Sequence, residues 1–259
     1  DTTPQDNIKN AAYDPKETYA TITIDAMTLA KNDSPEAVAS IVSAQSTQAR
    51  MQIEENLGDG VFSDAVTNPK MIGGLQGAID NGAVAATFGG LGARTTTNSF
   101  WSPRAGGLDT TTTTLTLGAM QTVFGSVTDG ARHPTIIITT QANYNRLWAL
   151  MQVHQRFPVS GGGSDQQLAA AGFDNILFNN VPVVVDSHCN TTRLGVAGDA
   201  MYMIDEEYWE LDVMSGWDVQ IGDFQQPVNQ AAMTAQVHWK GQLVFTNLAL
   251  QGALTALAA

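Results

Sequence analysis

The sequence predicts an α+β protein on three observations: a long helical period in the N-terminal third, β-branched alternation near both ends, and an apolar strand between two helical stretches in the middle. With 259 residues and 43% hydrophobic content, the chain can bury a sizeable core in one large domain or two modest ones. No repeat of fixed period is present, which excludes solenoids and propellers.

Residues 1–16 are polar, carry Pro4 and Pro15 and follow neither a helical nor a strand period, so they read as an extended arm. From Thr18 the texture changes. Tyr19, Thr21, Ile22, Thr23 and Ile24 are β-branched or aromatic, with Ile22, Ile24 and Ala26 on alternate positions, as in one strand of a long hairpin or the return limb of a projecting loop. Ser34-Pro35-Glu36 then starts a helix: the serine accepts from orphan amides, proline suits the first helical position, and an early glutamate favours the positive end of the dipole. Val38, Ile41, Val42, Ala49, Ile53 and Leu57 recur at spacings near three and four, while Gln45, Gln48, Gln52, Glu54 and Glu55 fall mostly elsewhere. Gly58 is expected to end this helix, giving a rod of roughly 34 Å that needs a surface to lie across.

A shorter helix is expected over 69–79, closed by the turn Asn81-Gly82. Residues 82–114 are rich in glycine and threonine, with Phe100 and Trp101 as large anchors, and read as loops and short strands; the threonine run 110–114 is an extended connection before a helix. Leu117, Met120, Val123, Phe124 and Val127 predict a helix, residues 134–139 a buried strand, and Tyr144, Leu147, Trp148 and Met151 a second helix. Gly161-Gly162-Gly163-Ser164 reads as a loop tip. Residues 176–178 and 181–186 flank Asn179-Asn180 as a hairpin, 200–213 read as a strand pair, and 230–257 as a long hairpin turning at Lys240-Gly241-Gln242.

The chemistry is mostly bland. A net charge of −13 and a pI near 4.4 argue against sequence-specific nucleic-acid binding, which needs lysine and arginine on phosphates. No apolar run of about 18 residues spans a bilayer and no signal-peptide order opens the chain, so no membrane partner is expected and the protein reads as soluble. The start at Asp1 fits either proteolytic maturation or simply the point where the sequence begins. Cys189 is the only cysteine, which excludes an intrachain disulfide and a thiolate cluster. His133, His154, His188 and His238 lack the i, i+4 spacing of a zinc helix. His188-Cys189 invites a base-and-nucleophile reading, but neighbours on a strand point to opposite faces. Gly89-Gly90-Leu91-Gly92 is not a phosphate-binding fingerprint, and no nucleophile elbow occurs. Glu206-Glu207 beside Tyr208-Trp209 suggests a sugar site less well than solvated carboxylates next to a buried ring. Asn190-Thr191-Thr192 matches a glycosylation acceptor, read as a chance surface turn. No catalytic, cofactor-binding or metal-binding residue is therefore assigned.

The order of segments, together with two local stretches, resembles a known family. Pro134-Thr135-Ile136-Ile137-Ile138-Thr139-Thr140-Gln141-Ala142-Asn143-Tyr144 is similar to the family's strand followed by a helix carrying an aromatic, and Phe178-Asn179-Asn180-Val181-Pro182-Val183-Val184-Val185 to its short loop and valine-rich strand. The family is that of the major capsid proteins of tailed bacteriophages with the Hong Kong 97 fold. The resemblance implies an N-terminal arm over 1–9, an extended β loop and return strand over 10–33, of which residues 10–24 lie over a neighbouring subunit, and a peripheral domain over 34–114 with its spine helix at 34–57. It further implies an axial α/β domain over 115–214 and return strands of the peripheral domain over 215–259. The implied function is non-enzymatic self-assembly, as pentameric and hexameric capsomers, into an icosahedral shell around double-stranded DNA. That DNA would be contacted non-specifically, with a portal protein and scaffold as partners and decoration proteins as further candidates. Assembly would take place in the host cytoplasm and the product would be the virion capsid. Some members cross-link lysine to asparagine, and Lys9 and Lys16 lie in or near the implied loop, where solvated surface lysines are the plainer reading. An encapsulin-like compartment, a soluble hydrolase and another virion component are the alternatives.

Overall fold

Alternating burial along two sets of strands builds two sheets, and the helices lie where the apolar faces need cover. The computed structural model describes residues 9–32, 34–64, 66–152, 176–189, 199–228 and 230–258. Residues 1–8 of the arm expected over 1–9, the loop tip at Gly161 to Ser164, His154 and the sequon Asn190-Thr191-Thr192 lie outside the described residues.

The first sheet joins β1 (Lys16–Asp25), β9 (Ala232–Phe245) and β7 (Trp209–Val213) in that order, with β8 (Gln220–Ile221) also on β9. Ala20, Ile22 and Ile24 of β1 and Ala235, Val237 and Trp239 of β9 point to one face, where α2 (Pro35–Val61) covers them. The second sheet has the order β2-β10-β6-β3-β5-β4, formed by Leu108–Asp109, Gly252–Leu257, Asp199–Ile204, Ile136–Thr139, Val181–Val185 and Leu177–Phe178. Every residue of β6 is buried, as expected of a central strand. Met120, Val123 and Phe124 of α4 (Leu117–Val127) and Leu147 of α5 (Gln141–Gln152) pack with Ile137, Val183, Met201 and Leu254 of this sheet.

Local chemistry starts α2 and turns the β4–β5 hairpin as expected, and caps α4 besides. Ser34 Oγ accepts from Ala37 N at 3.2 Å ahead of Pro35. Thr116 Oγ1 does the same for Ala119 N at 3.1 Å at the head of α4. Asn179 and Asn180 adopt φ of 49° and 65°, the two positive values that a two-residue hairpin turn demands. Asp109 collects the threonine run: its carboxylate accepts from the backbone N of Thr111 and Thr112 and from both hydroxyls. Burial pushes this carboxyl up, but the bonds from Thr112 and Thr111 outweigh it and bring the pKa down to about 2. Its stabilisation is therefore present above the ordinary aspartate value of about 3.9 and lost as pH falls toward about 2. Asp109→Asn is expected to flatten the acid limb of a pH-denaturation profile in that window. A limb identical to that of the native chain would show that the threonine cradle does not hold the carboxylate.

Several expectations are corrected. Helix α2 does not stop at Gly58 but runs through Gly58 and Gly60 to Val61, because those glycines admit close neighbours rather than a turn. A Cβ at Gly60 would lie 2.6 Å from Ile72 Cγ1, and one at Gly58 would meet the ring of His188. The helix over 69–79 shrinks to α3 (Leu75–Ala78), since the chain turns at Pro69-Lys70, closed by Met71 N donating to Asn68 O, and is extended at Gly74 just ahead of the helix. The strand pair over 200–213 is instead β6 and β7 in different sheets, parted by a 3-10 turn at Glu206–Tyr208. The closing hairpin is absent: β9 passes unbroken through Gly241, and β10 crosses to pair with β6 and β2. Thus β7 lies with β9 in the four-stranded sheet, and β10 lies in the six-stranded one. Within the stretch 10–33, β1 pairs with β9 along all ten of its residues and the short helix α1 (Ala26–Lys31) follows it.

Ile53 sits at the centre of the α2 contact with no exposed surface. Ile53→Ala is expected to cost about 2–5 kcal/mol, from lost transfer energy and the cavity left behind. Urea unfolding measures it, and a loss below about 1 kcal/mol would mean that α2 is not held by this face.

Candidate assembly surfaces

The segment before β1 lies on its own core. Ala12 N donates to Gly89 O at 2.9 Å, and the Tyr13 hydroxyl donates to Phe245 O at 3.1 Å. The Tyr13 ring meets Phe88 edge-on with centroids 5.8 Å apart. Burial pushes the Tyr13 phenol up to about 12, against the lowering effect of the Phe245 bond. The glycine cluster turns out to be the seat for this segment: Gly89 and Gly90, at φ 56° and 71°, form the tight turn between the bridged Phe88 and Leu91, and a Cβ on Gly89 would lie 3.0 Å from the Tyr13 ring. Tyr13 was not singled out by sequence, since an isolated tyrosine between alanine and aspartate carries no local signal.

Beyond this clasp, the surfaces left uncovered concentrate around α2. Between Pro35 and Gln48 no side chain of the helix is buried, and α1 buries none either, with Met27 61% exposed. Beside α2, β1 is an edge strand; among the described residues no strand but β9 pairs with it. Between edge and helix runs a groove of about 300 Å³, lined by Tyr19, Ala20 and Thr21 on one side and by Gln45, Gln48, Gln52 and Asn56 on the other. The three-and-four spacing of those amides was visible in the sequence, but the edge strand they face was not. A second apolar surface lies on the outer side of the β4–β5 hairpin, where Leu177, paired with Pro182, and Val184 are exposed. Trp148 of α5 and Leu211, Val213 and Met214 at the β7 edge are exposed as well.

The residues considered for chemistry do not converge. His188 and Cys189 sit on a 3-10 turn (Ser187–Cys189), not on a strand, and the buried thiol bonds weakly to the carbonyl of Ala200 at 3.5 Å. Burial first, then Asp186 and Asp199, raise the Cys189 pKa far above the usual thiol range, so it is no nucleophile at neutral pH. His188 instead bridges Asp186 and Glu55. His133 stacks on Phe124, and His238 joins Glu17 at 2.9 Å, beside Lys240, which lies 3.6 Å over the Trp217 ring. Glu206 and Glu207 are exposed on their turn, Glu206 accepting from the Thr135 hydroxyl at 3.0 Å. Among the described residues, no group of three or more His, Cys, Asp or Glu side chains is placed to hold a metal ion, and no helix is long and apolar enough to cross a membrane. Lys16 lies at the head of β1, opposite Gly241.

A long helix laid on one sheet, a second mixed sheet flanked by helices, and broad uncovered surfaces define the shell-forming capsid fold of tailed phages, the Hong Kong 97 fold. Solved structures agree. The chain is similar to one in the cyanophage A-1(L) capsid asymmetric unit, with 14% identity, coverage of 94% of this chain and 78% of that one, and a TM-score of 0.61. It is similar to the satellite phage P4 procapsid including size determination (Sid) protein, at 11% identity, 99% and 76% coverage and a TM-score of 0.56. It is also similar to the holo-SrpI encapsulin complex from Synechococcus elongatus PCC 7942, at 9% identity, 94% and 74% coverage and a TM-score of 0.60. At such identities these likenesses establish the fold alone. No curated protein sequence matches the chain. Residues 17–249 match the family model of the SU10 major capsid protein, and the chain belongs to that family. It is a major capsid protein, a structural subunit that self-assembles into the capsid shell of a bacteriophage virion.

Proposed function

We propose that the subunit gathers as pentamers and hexamers into an icosahedral shell enclosing double-stranded DNA, without enzymatic activity, and that assembly takes place in the host cytoplasm. The family match over residues 17–249 carries this reading. A portal protein and a scaffold belong to the same proposal, with decoration proteins as optional additions. The six-stranded sheet with α4 and α5 would form the axial domain and α2 with the four-stranded sheet the peripheral domain. A net charge of −13 suits a wall that must contain packed DNA without binding it tightly.

The likeness to the encapsulin favours a second reading, a shell around protein cargo, on the fold alone. Negative-stain electron microscopy of nuclease-treated particles, followed by assay of protected nucleic acid, separates the two. Angular shells holding protected double-stranded DNA are expected. Small shells with protein cargo and no genome would transfer the assignment to a cargo compartment, and a monomer or dimer under all assembly conditions would overturn both.

A further inference from the structure

Both ring nitrogens of His188 lie within hydrogen-bond distance of a carboxylate: Nδ1 is 2.9 Å from Asp186 Oδ1 and Nε2 is 3.1 Å from Glu55 Oε2. An ionised carboxylate only accepts, so both nitrogens must donate, and a ring with two N–H groups is an imidazolium. The neutral ring would set a nitrogen lone pair against one of the two oxygens. Burial pushes the imidazole pKa down, but the bonds to Asp186 and then Glu55 outweigh it and raise it.

The two carboxylates belong to different parts of the fold. Asp186 follows β5 in the six-stranded sheet, whereas Glu55 stands on the C-terminal turns of α2, which covers the four-stranded sheet. The ring is seated between them with 18% of its side chain exposed, and its floor is Gly58. A Cβ on that glycine would fall 2.7 Å from Nε2 and 2.8 Å from two ring carbons. Glycine inside a helix is otherwise disfavoured; here the ring occupies the space. The other acidic groups on these packed elements are Glu36 at the far end of α2, Glu54 beside Glu55, Asp59 one turn further along, and Asp199, which with Asp186 acts on the adjacent Cys189.

We propose that His188 is a pH-operated clasp coupling the C-terminal turns of α2 to the β5 corner of the six-stranded sheet, closed when the ring is protonated and released when it is neutral. Since the folded value is raised, the clasp is complete below the ordinary histidine value of about 6.5 and is lost as pH rises through the higher value of His188 itself. Its consequence for a shell, firmer setting of the two sheets within each subunit at lower pH, rests on the reading above; the clasp itself does not.

Hydrogen–deuterium exchange on the purified full chain tests it, from about pH 6 to about pH 9 and corrected for intrinsic exchange, a range that brackets the ordinary histidine value on its upper side. In the native chain, protection at residues 54–61 and 186–189 is expected to fall severalfold across this range, and in His188→Gln to be low throughout. Gly58→Ala displaces the ring while favouring the helix, so α2 is expected to stay helical by circular dichroism while the pH dependence at 186–189 disappears. Protection that does not vary with pH in the native chain, or a native-like profile in either variant, overturns the clasp. Exchange is read without assembly, so its failure leaves the shell reading standing, and failure to form shells leaves the clasp to be judged on its own.

Discussion

Arg94→Ala is expected to cost about 3–5 kcal/mol, a large share of the roughly 5–15 kcal/mol that holds an ordinary domain together. Arg94 is 1% exposed, and its guanidinium does for the loop-rich stretch between α3 and α4 what a ladder of backbone bonds does elsewhere. Nε donates to Trp101 O at 2.8 Å, Nη1 to Gly77 O at 2.8 Å and to Ala85 O at 3.3 Å, and Nη2 to Ala78 O. The Ser102 hydroxyl returns a bond to Arg94 O at 3.0 Å, and Asp80 holds the amides of Gly82, Val84 and Ala85 from the other side. Truncation would strand four buried carbonyls at about 1–3 kcal/mol for each that finds no water, and would leave a cavity against Phe88 and Trp101. Lysine cannot restore the pattern, because its single ammonium lacks the planar fork. Urea denaturation of Arg94→Ala and Arg94→Lys measures both. An alanine variant within about 1 kcal/mol of the native chain would show that water, not Arg94, satisfies these carbonyls.

Gly241→Ala is the second large effect, expected to destabilise by about 2–4 kcal/mol although alanine suits a strand interior better by about 0.5–1 kcal/mol. The added methyl would meet the Asp212 carbonyl of the paired β7 and would lie 2.7 Å from Trp239 Cη2. The carbonyl is backbone held in a ladder and Trp239 is a buried core ring, so neither yields without moving β7 or the α2 contact. Thermal unfolding of the variant, beside Gly222→Ala just past β8, tests this. At Gly222 the tightest contact of a Cβ is 3.2 Å from Gln236 O, and the expected loss is smaller. Equal losses at the two positions would refute the close-packing explanation of Gly241.

Both sites mark how far the sequence could be read. The serine cap and proline that open α2, the paired asparagines of the turn and the helix–strand–helix order from α4 to α5 were legible because each signal acts over a few residues. The family order of segments was legible for the same reason, being a succession of such local elements. The meaning of a glycine was not. Gly58 looked like a helix terminator and Gly241 like a turn, yet these two and Gly60 are each a point of close approach to a ring, a branched side chain or a carbonyl brought from elsewhere in the chain. Strand partners escaped likewise: alternation in β1 and β9 identifies a strand and its faces, but which edge it joins depends on the other strands present.

The candidate surfaces divide in the same way. The amide stripe of α2 and the pairing of His188 with a nearby aspartate lie within the reach of local spacing. Glu55, 133 residues from His188, and Tyr13, 232 from the Phe245 carbonyl it bonds, do not. By itself the sequence determined the principal helices α2, α4 and α5, the strands β1, β3 and β5 and their apolar faces, since capping, turn geometry and periodicity are short-range. Only the tertiary structure decided where α2 ends, which sheet each strand joins, what Arg94 holds and which carboxylates meet His188, because those depend on contacts that come into being when distant segments pack together.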